Sequence, residues 1–302
     1  MDTTCSTESV RRGRRARDVA RVAHGMKRRR FLASAAGLAL ARGAEPARRG
    51  AGTALVLGGG GCRGYGHIGV LRVLERERLR PELVVGSSAG ALVGALYAAG
   101  MPVDAIERYG QTLSPNILRS WVFPKLGIFG GGRIRDFVVA RVGERDIESL
   151  PTRFAAVATD LKTGAMVVLE HGDLGRAVQA SSSIPGLLEP VRIGEHLLVD
   201  GNIASAVPVR AARRLGGKRV LAVDVTFPPE RAELSDPFEA LYQGFSILTR
   251  KLALEERATA DLVIEPPIPE HRDMSQATLK AMVEAGARAA NDALPRLRGL
   301  FG

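Results

Sequence analysis

The stretch LVVGSSAGAL at residues 83–92 decides the fold, because an apolar run ends there in the pattern G-x-S-x-G and small and apolar residues follow directly. The pattern predicts a strand that turns sharply into a helix, with Ser88 at the apex and Gly86 and Gly90 permitting close backbone approach. A hydroxyl at that apex lies near the helix N-terminus, whose amides favour a developing negative charge. A tight junction without chemistry can carry the same short pattern, so the other motifs decide between the two interpretations.

A glycine loop precedes this turn in the chain. The apolar run 53–57 stops at Gly58–Gly61, and an amphipathic helix is predicted between the loop and Pro81. With the strand before Ser88, these segments form a β-α-β unit, for which a parallel, right-handed crossover is expected.

The spacing Gly59-x-Gly61-x-x-Gly64 in this loop matches a dinucleotide-binding fingerprint, so a nucleotide- or phosphate-binding module is the main alternative function. That fingerprint also requires an acidic residue at the end of the second strand, where this chain has serines. We therefore interpret the amides of Gly59, Gly60 and Gly61 as an oxyanion hole, because acyl transfer needs donors where negative charge develops. Arg63 either stiffens the loop, contacts an anionic head group or lies on the surface as an ordinary arginine.

Composition and charge exclude several kinds of partner. The chain has 302 residues, 45% of them apolar, which is enough for one large α/β domain or two small ones. Its net charge of +11 is concentrated in residues 1–50, which hold 13 Lys and Arg against 4 Asp and Glu, and the rest hold 30 against 28. We therefore expect no nucleic-acid partner. Two cysteines, and five histidines without ligand spacing, predict neither a disulfide framework nor a metal site.

The basic first 50 residues have the organisation of an export signal. The run KRRR at residues 27–30 precedes an apolar stretch at residues 31–41, which contains the small-x-small sequence ALA. Paired arginines followed by x-Phe-Leu resemble a twin-arginine signal, and the stretch is shorter than the roughly 20 residues of a transmembrane helix. We expect a basic extension, signal and linker over residues 1–50 and an exported, periplasmic or secreted protein. A cytoplasmic protein with a disordered basic tail is the alternative.

Three motifs make the chain resemble the patatin-like phospholipase family. They are GGGGCRG at residues 58–64, GSSAG at residues 86–90 and VDGN at residues 199–202, corresponding to the family's G-G-G-x-R-G, G-x-S-x-G and D-G-G/A. Two departures stand at or just after the last motif. Asn202 replaces the usual Gly or Ala, and Ser205-Ala206 replace a common Asn-Pro.

The resemblance implies a three-layer α/β/α fold with a mostly parallel central sheet over residues 51–302. It also implies hydrolysis of a lipid or phospholipid acyl ester through an acyl-serine, without metal or cofactor. In the family an aspartate alone activates the serine, which makes Ser88 the nucleophile and Asp200 the general base. Independently, Asp200 ends an apolar run before a glycine, at the strand end where open α/β sheets hold their sites. An Asp-Gly turn without chemistry is the alternative for this dipeptide.

Other interpretations of the site stay open from the sequence. Asp160 and Asp224 also end apolar runs, and we interpret both as structural turn or cap residues that would otherwise compete for the role of base. A Ser-Asp-His hydrolase needs a histidine after the acid, where only His271 stands, in a proline-rich segment interpreted as a surface loop. His67 is interpreted as a packing or capping residue. A membrane-associated protein that has lost its activity is a third hypothesis.

The rest of the chain adds predicted elements and one segment of unusual composition. Hairpins are predicted at residues 154–169 and 191–199, and a last helix at Ser275–Leu294 that Pro295 should close. Residues 113–132 combine Pro and Gly with apolar anchors. That composition suits a lid over an acyl-chain pocket, a contact with a membrane surface or an ordinary packed loop. The ester, the acyl position and the oligomeric state are not specified.

Overall fold

The computed structural model of the protein describes residues 52–110, 127–228, 237–268 and 275–302. They all lie within one unit, Ala47–Gly302. The expected export signal, residues 113–126 of the suggested lid and His271 lie outside the described residues. Within the described ranges, no helix combines the length and the apolar composition that crossing a membrane requires.

Eight strands form the central sheet, and two more form a small separate one. In chain order the strands are β1 (Thr53–Leu57), β2 (Leu83–Ser87), β3 (Gly127–Phe129), β4 (Arg153–Asp160), β5 (Met166–Leu169), β6 (Gly186–Leu188), β7 (Val191–Ile193), β8 (His196–Asp200), β9 (Arg219–Val223) and β10 (Leu262–Ile264). The main sheet has the order β10-β9-β1-β2-β4-β8-β7, and β5 also pairs with β4. Strands from β10 to β4 are parallel, whereas β5, β8 and β7 join antiparallel.

Helices cover both faces of this sheet, so the expected three-layer α/β/α architecture is confirmed. The helices are α1 (Tyr65–Arg76), α2 (Ala89–Ala98), α3 (Val103–Gly110), α4 (Gly132–Val142), α5 (Leu174–Ser181), α6 (Val209–Arg214), α7 (Pro237–Arg257), α8 (Gln276–Asp292) and α9 (Leu294–Phe301). Alternate residues of β1 point to opposite faces. Leu55 and Leu57 pack in a core with α1, α2 and α8, whereas Ala54 and Val56 pack in a second core with α6.

The long strand β4 brings the two ends of the site together. Its first five residues pair with β2, and Val157 lies opposite Ser87. From Ala158 onward it pairs with β8 instead, and Ala158 lies opposite Asp200. Because these two β4 residues are neighbours in the chain, the ends of β2 and β8 meet at one point of the sheet. This register brings Ser88, the residue after β2, next to Asp200.

Two segments differ from the sequence-based expectation, and two agree. Pro295 lies in the first turn of a further helix, α9, because a proline at a helix start loses no intrahelical hydrogen bond. Residues 127–132, the described end of the suggested lid, form β3 and the start of α4, and β3 pairs with β6. Both predicted hairpins are confirmed, as β4–β5 and β7–β8.

Candidate active site

Ser88 occupies the turn between β2 and α2 with an unusual backbone conformation. Its φ of 52° and ψ of −119° make it, with Arg78, one of two non-glycine residues of positive φ in the described chain. Such a conformation costs energy and persists only where the surrounding structure imposes it. A methyl group on Gly86 would overlap Gly90, and one on Gly90 would overlap Leu57, so both glycines are needed for this close approach. The strand–turn–helix geometry is therefore the one that the sequence predicted.

The Ser88 hydroxyl donates a hydrogen bond to the Asp200 carboxylate. Oγ lies 2.7 Å from Oδ2, and only 6% of Ser88 and 1% of Asp200 is exposed. The other carboxylate oxygen, Oδ1, accepts the amide of Asn202 at 2.8 Å. Both oxygens thus receive a neutral donor, and no arginine, lysine or histidine of the described residues forms an ion pair with this carboxylate.

Burial raises the pKa of the Asp200 carboxyl to about 6, because the charged form loses its solvation by water. The hydrogen bonds from Asn202 and Ser88 stabilise the charged form and offset part of this rise. A carboxyl group with a pKa near neutrality can accept a proton from a hydroxyl and return it, which is the requirement for a general base.

Buried serines orient the two residues, and the sequence analysis did not identify them. The Ser88 amide donates to Ser181 Oγ at 2.9 Å, and that hydroxyl donates to the Val157 carbonyl at 2.6 Å. The Asp200 amide donates to the Ser183 carbonyl at 2.8 Å. A run of three serines was the only sign of these contacts in the sequence, and such a run does not specify what its members bond to.

The glycine loop lies beside the nucleophile turn, and its amides differ in availability. The Gly59 amide donates to the Ala206 carbonyl at 2.9 Å. The amides of Gly60 and Gly61 have no hydrogen-bond partner among the described residues. Gly60 and Gly61 can therefore donate to a substrate, whereas Gly59, expected as a third donor, already has an acceptor.

Arg63 is buried and holds the glycine loop, so the surface interpretation was wrong. Its Nε donates to the Val225 carbonyl at 3.0 Å and its Nη1 to the Ile268 carbonyl at 3.3 Å. The guanidinium also lies over the ring of Phe227, 5.5 Å from its centroid. In the same loop, a methyl group on Gly64 would crowd the Ala89 side chain, so the loop packs directly on the start of α2. These contacts of Arg63 and Gly64 stiffen the glycine loop.

No described histidine forms a hydrogen bond with Ser88 or Asp200. His67 is buried, its Nε2 lies 2.7 Å from the Gly58 carbonyl, and burial lowers its pKa to about 4. The other described histidines, His171 and His196, lie beside acidic residues elsewhere. His271 lies outside the described residues. The described part also contains no cluster of three His, Cys, Asp or Glu side chains that could hold a metal ion.

Asp160 and Asp224, the two aspartates that could compete with Asp200, have other partners. Asp160 closes the turn after β4, where its Oδ1 accepts the amides of Lys162 and Thr163 at 2.9 and 3.1 Å. Asp224 forms ion pairs with two arginines of α7. Neither carboxylate contacts Ser88, in agreement with the structural role expected of both.

An apolar cavity begins next to the nucleophile turn. Gly61 and Ala89 line it together with side chains from α1, α2, α3 and α4. Leu92 and Leu96 continue the lining along α2, so the cavity follows the helix for roughly 10 Å at 1.5 Å per residue. Phe137 from α4 contributes to the same lining. The apolar lining suits a hydrocarbon group.

This geometry can be compared with known proteins. Residues 55–213, which include the glycine loop, Ser88 and Asp200, match the family model described as patatin-like phospholipase. The chain belongs to the patatin-like phospholipase family. The resemblance found in the sequence is thereby confirmed.

Relatives of this patatin-like chain include longer proteins. An NTE family protein of Mycobacterium tuberculosis, itself described as uncharacterized, is 31% identical over 277 residues, which cover 82% of this chain and 48% of that protein. Patatin-like phospholipase domain-containing protein 6 of Mus musculus is 33% identical over 207 residues, 66% of this chain and 15% of that protein. The chain thus spans about half the length of the mycobacterial relative.

A solved structure from another organism shares the fold. VipD from Legionella pneumophila superposes with a TM-score of 0.56 at 14% identity, covering 82% of this chain and 67% of that one. At this identity the likeness concerns the fold alone. It agrees with the three-layer architecture described above.

Proposed function

We propose that the chain hydrolyses lipid acyl esters through a serine–aspartate dyad and an acyl-serine intermediate. The observation that carries the proposal is the 2.7 Å hydrogen bond from Ser88 Oγ to the buried Asp200 carboxylate, which no described cation neutralises. Membership of the patatin-like phospholipase family supports a lipid hydrolase. The backbone strain at Ser88 supports a functional role for that residue.

In the proposed first half-reaction, Ser88 Oγ attacks the ester carbonyl carbon while Asp200 takes the hydroxyl proton. Negative charge develops on the carbonyl oxygen, and the free amides of Gly60 and Gly61 are the donors for it. When the tetrahedral intermediate collapses, the ester C–O bond breaks and Asp200 returns the proton to the leaving alcohol. The acyl group then remains on Ser88.

The second half-reaction repeats these roles with water. Asp200 takes a proton from a water molecule, whose oxygen attacks the acyl-serine carbonyl. The fatty acid leaves and Ser88 regains its proton from Asp200. The apolar cavity along α2 holds the acyl chain during both halves, because its lining offers burial of hydrocarbon and few polar partners.

The alternative of a nucleotide- or phosphate-binding loop has less support. A phosphate needs several convergent donors, whereas the Gly59 amide already has an acceptor and Arg63 bonds to backbone carbonyls below the loop. The cavity beside the loop is apolar rather than polar. These features favour an acyl group over a phosphate as the bound part of the substrate.

The test is hydrolysis of phospholipids and simple esters of short, medium and long acyl chains by the purified full chain, with and without EDTA. Ser88→Ala should lower kcat/KM by at least about a thousandfold, because the nucleophile is removed. Ser149→Ala removes an exposed hydroxyl bonded only to a nearby carbonyl and is the matched control. An active-site serine probe should label the wild type and not Ser88→Ala, and EDTA should leave the rate unchanged.

Each opposite outcome is informative. Hydrolysis that survives Ser88→Ala would overturn the proposal. A nucleotide that raises the melting temperature of a chain that no serine probe labels would point to the phosphate-binding alternative. Loss of activity in His271→Ala would indicate a histidine-dependent hydrolase.

A further inference from the structure

Asn202 connects parts of the site that come from different places in the chain. It lies in the short turn Gly201–Ile203 directly after β8, and 9% of its surface is exposed. It is also the position at which the chain departs from the motif D-G-G/A. Its backbone amide donates to Asp200 Oδ1 at 2.8 Å, a bond that any residue other than proline could make.

The side chain of Asn202 makes contacts that glycine or alanine would not make. Its Oδ1 accepts a hydrogen bond from the Ser87 hydroxyl at 3.1 Å, and Ser87 directly precedes the nucleophile. Asn202 Oδ1 is the one acceptor of the Ser87 hydroxyl among the described residues. Because Ser87 is fully buried, loss of this hydrogen bond would be costly. The same carboxamide lies so close to the α-carbon of Gly59 that a methyl group there would overlap it.

These contacts link two segments at a point where their direct strand pairing has ended. β1 and β2 are parallel neighbours, but their pairing ends at Leu57 and Gly86. Beyond that point Ser87 still pairs with Val157 of β4 and Gly64 packs on Ala89. The Asn202 side chain adds a direct link between Ser87 and Gly59. A misplacement of about 1 Å between reacting groups can cost about a hundredfold in rate, so such a bridge matters for catalysis.

We propose that Asn202 is a positioning residue whose side chain sets the spacing between the Ser88 turn and the amides of Gly60 and Gly61. The inference rests on the proposed function, because it uses those amides as donors to the oxyanion. The Asn202 backbone amide stays bonded to Asp200 whichever side chain is present. The side chain therefore acts on the donors and the nucleophile, and leaves the base unchanged.

Asn202→Ala removes the side-chain contacts of this residue and keeps the backbone amide that bonds to Asp200. It should lower kcat about tenfold to a hundredfold, with KM changed less than about twofold, because it disturbs transition-state donors rather than the acyl-chain cavity. The acid limb of the kcat/KM profile should stay at the Asp200 pKa of about 6, since the backbone amide remains. The matched control is Asn291→Ala, which removes an exposed asparagine of α8 bonded to Arg76 of α1 and should keep the wild-type kcat.

Ser87→Ala breaks the same hydrogen bond from the other side and provides a second route if Asn202→Ala does not fold. In a double-mutant cycle, Ser87→Ala with Asn202→Ala should lose no more than about the larger single loss, because both changes remove one interaction. Additive losses, an unchanged kcat in Asn202→Ala, or a loss confined to KM would overturn the positioning role. Thermal melting of each variant shows whether it is folded.

The two proposals fail in different ways. If Ser88→Ala keeps its activity, the proposed function itself fails. If Ser88→Ala is inactive while Asn202→Ala keeps the wild-type kcat, only the positioning role fails.

Discussion

Asp200 and Asp224 both stand at the carboxyl end of a strand, both are 1% exposed, and their surroundings differ in charge. Asp200 receives a serine hydroxyl and a backbone amide. The Oδ2 atom of Asp224 instead accepts Arg250 at 2.8 Å and Arg257 at 2.6 Å. Its Oδ1 accepts the amide and hydroxyl of Thr226 at 2.9 and 2.6 Å.

The difference separates the proposed base from a structural anion. Two guanidiniums neutralise Asp224 at Oδ2 and Thr226 satisfies Oδ1, so its role is to hold α7 to the end of β9. Asp200 has neutral donors alone, and its burial therefore raises its affinity for a proton. In the proposed mechanism, the buried carboxylate that lacks a cation is the one that accepts the proton.

The largest effect is expected from neutralising the base. Asp200→Asn should lower kcat/KM by about a thousandfold to ten-thousandfold, because the amide cannot take the Ser88 proton. Ester hydrolysis measures it. Asp160→Asn is the matched control, since Asp160 bonds to turn amides outside the dyad, and it should keep the wild-type rate. Equal losses of kcat/KM in Asp200→Asn and Asp160→Asn would show that contact with Ser88 does not give Asp200 a special role in catalysis.

Neutralising the paired aspartate should affect stability instead. Asp224→Asn leaves Arg250 and Arg257 with Glu265 as their remaining anion and should lower the free energy of unfolding by about 3 to 5 kcal/mol. Urea denaturation measures this change. Glu144→Gln, at an exposed pair with Arg135, should cost less than about 1 kcal/mol. If Asp224→Asn lowers the free energy of unfolding by less than about 1 kcal/mol, the structural role of this carboxylate is contradicted.

A smaller effect concerns stability against pH. The Asp200 carboxyl has a pKa of about 6 in the folded chain against an ordinary value of 3.8. Between these values the folded state holds a proton that the unfolded state has lost, so the free energy of unfolding falls as pH rises through this window. As pH rises through this window, the free energy of unfolding of the wild type should fall by about 2 to 3 kcal/mol relative to that of Asp200→Asn, at about 1.4 kcal/mol per pKa unit.

Urea denaturation of the wild type and Asp200→Asn, at a pH below both pKa values and at a pH above both, tests the predicted fall in the free energy of unfolding. The wild type and Asp200→Asn should be close in stability at the acid end, and the variant should be the more stable one at neutral pH. A difference that does not change with pH would mean that Asp200 titrates alike in the folded and unfolded chains.

Local signals were sufficient for the first β-α-β unit, the two hairpins and the Ser88 turn, and they missed α3, α4, α9 and the small sheet of β3 and β6. The spacing of Gly86, Ser88 and Gly90 predicted the strand–turn–helix because a turn depends on a few consecutive backbone conformations. Both hairpins were predicted for the same reason. Pro295 was misjudged because a proline is compatible with the end of one helix and the start of the next.

The contacts that cross the fold were out of reach of the sequence. Arg63 was compatible with a surface position, and its burial depends on carbonyls at Val225 and Ile268, far along the chain. In the same way, the Gly59 amide is occupied because the carbonyl of Ala206, distant in the chain, accepts its hydrogen bond. No periodicity or local motif encodes such partners.

The sequence by itself determined the first β-α-β unit, the turn at Ser88 and the set of three strand-end aspartates, because each follows from neighbouring residues. The family resemblance indicated Asp200 among these three, and the tertiary structure supplies the physical basis for that choice. The switch of β4 from β2 to β8 sets Asp200 beside Ser88, and the arginines of α7 occupy Asp224. The physical reason is that a carboxylate's proton affinity depends on burial and on nearby charges, and both are set by residues distant in the chain.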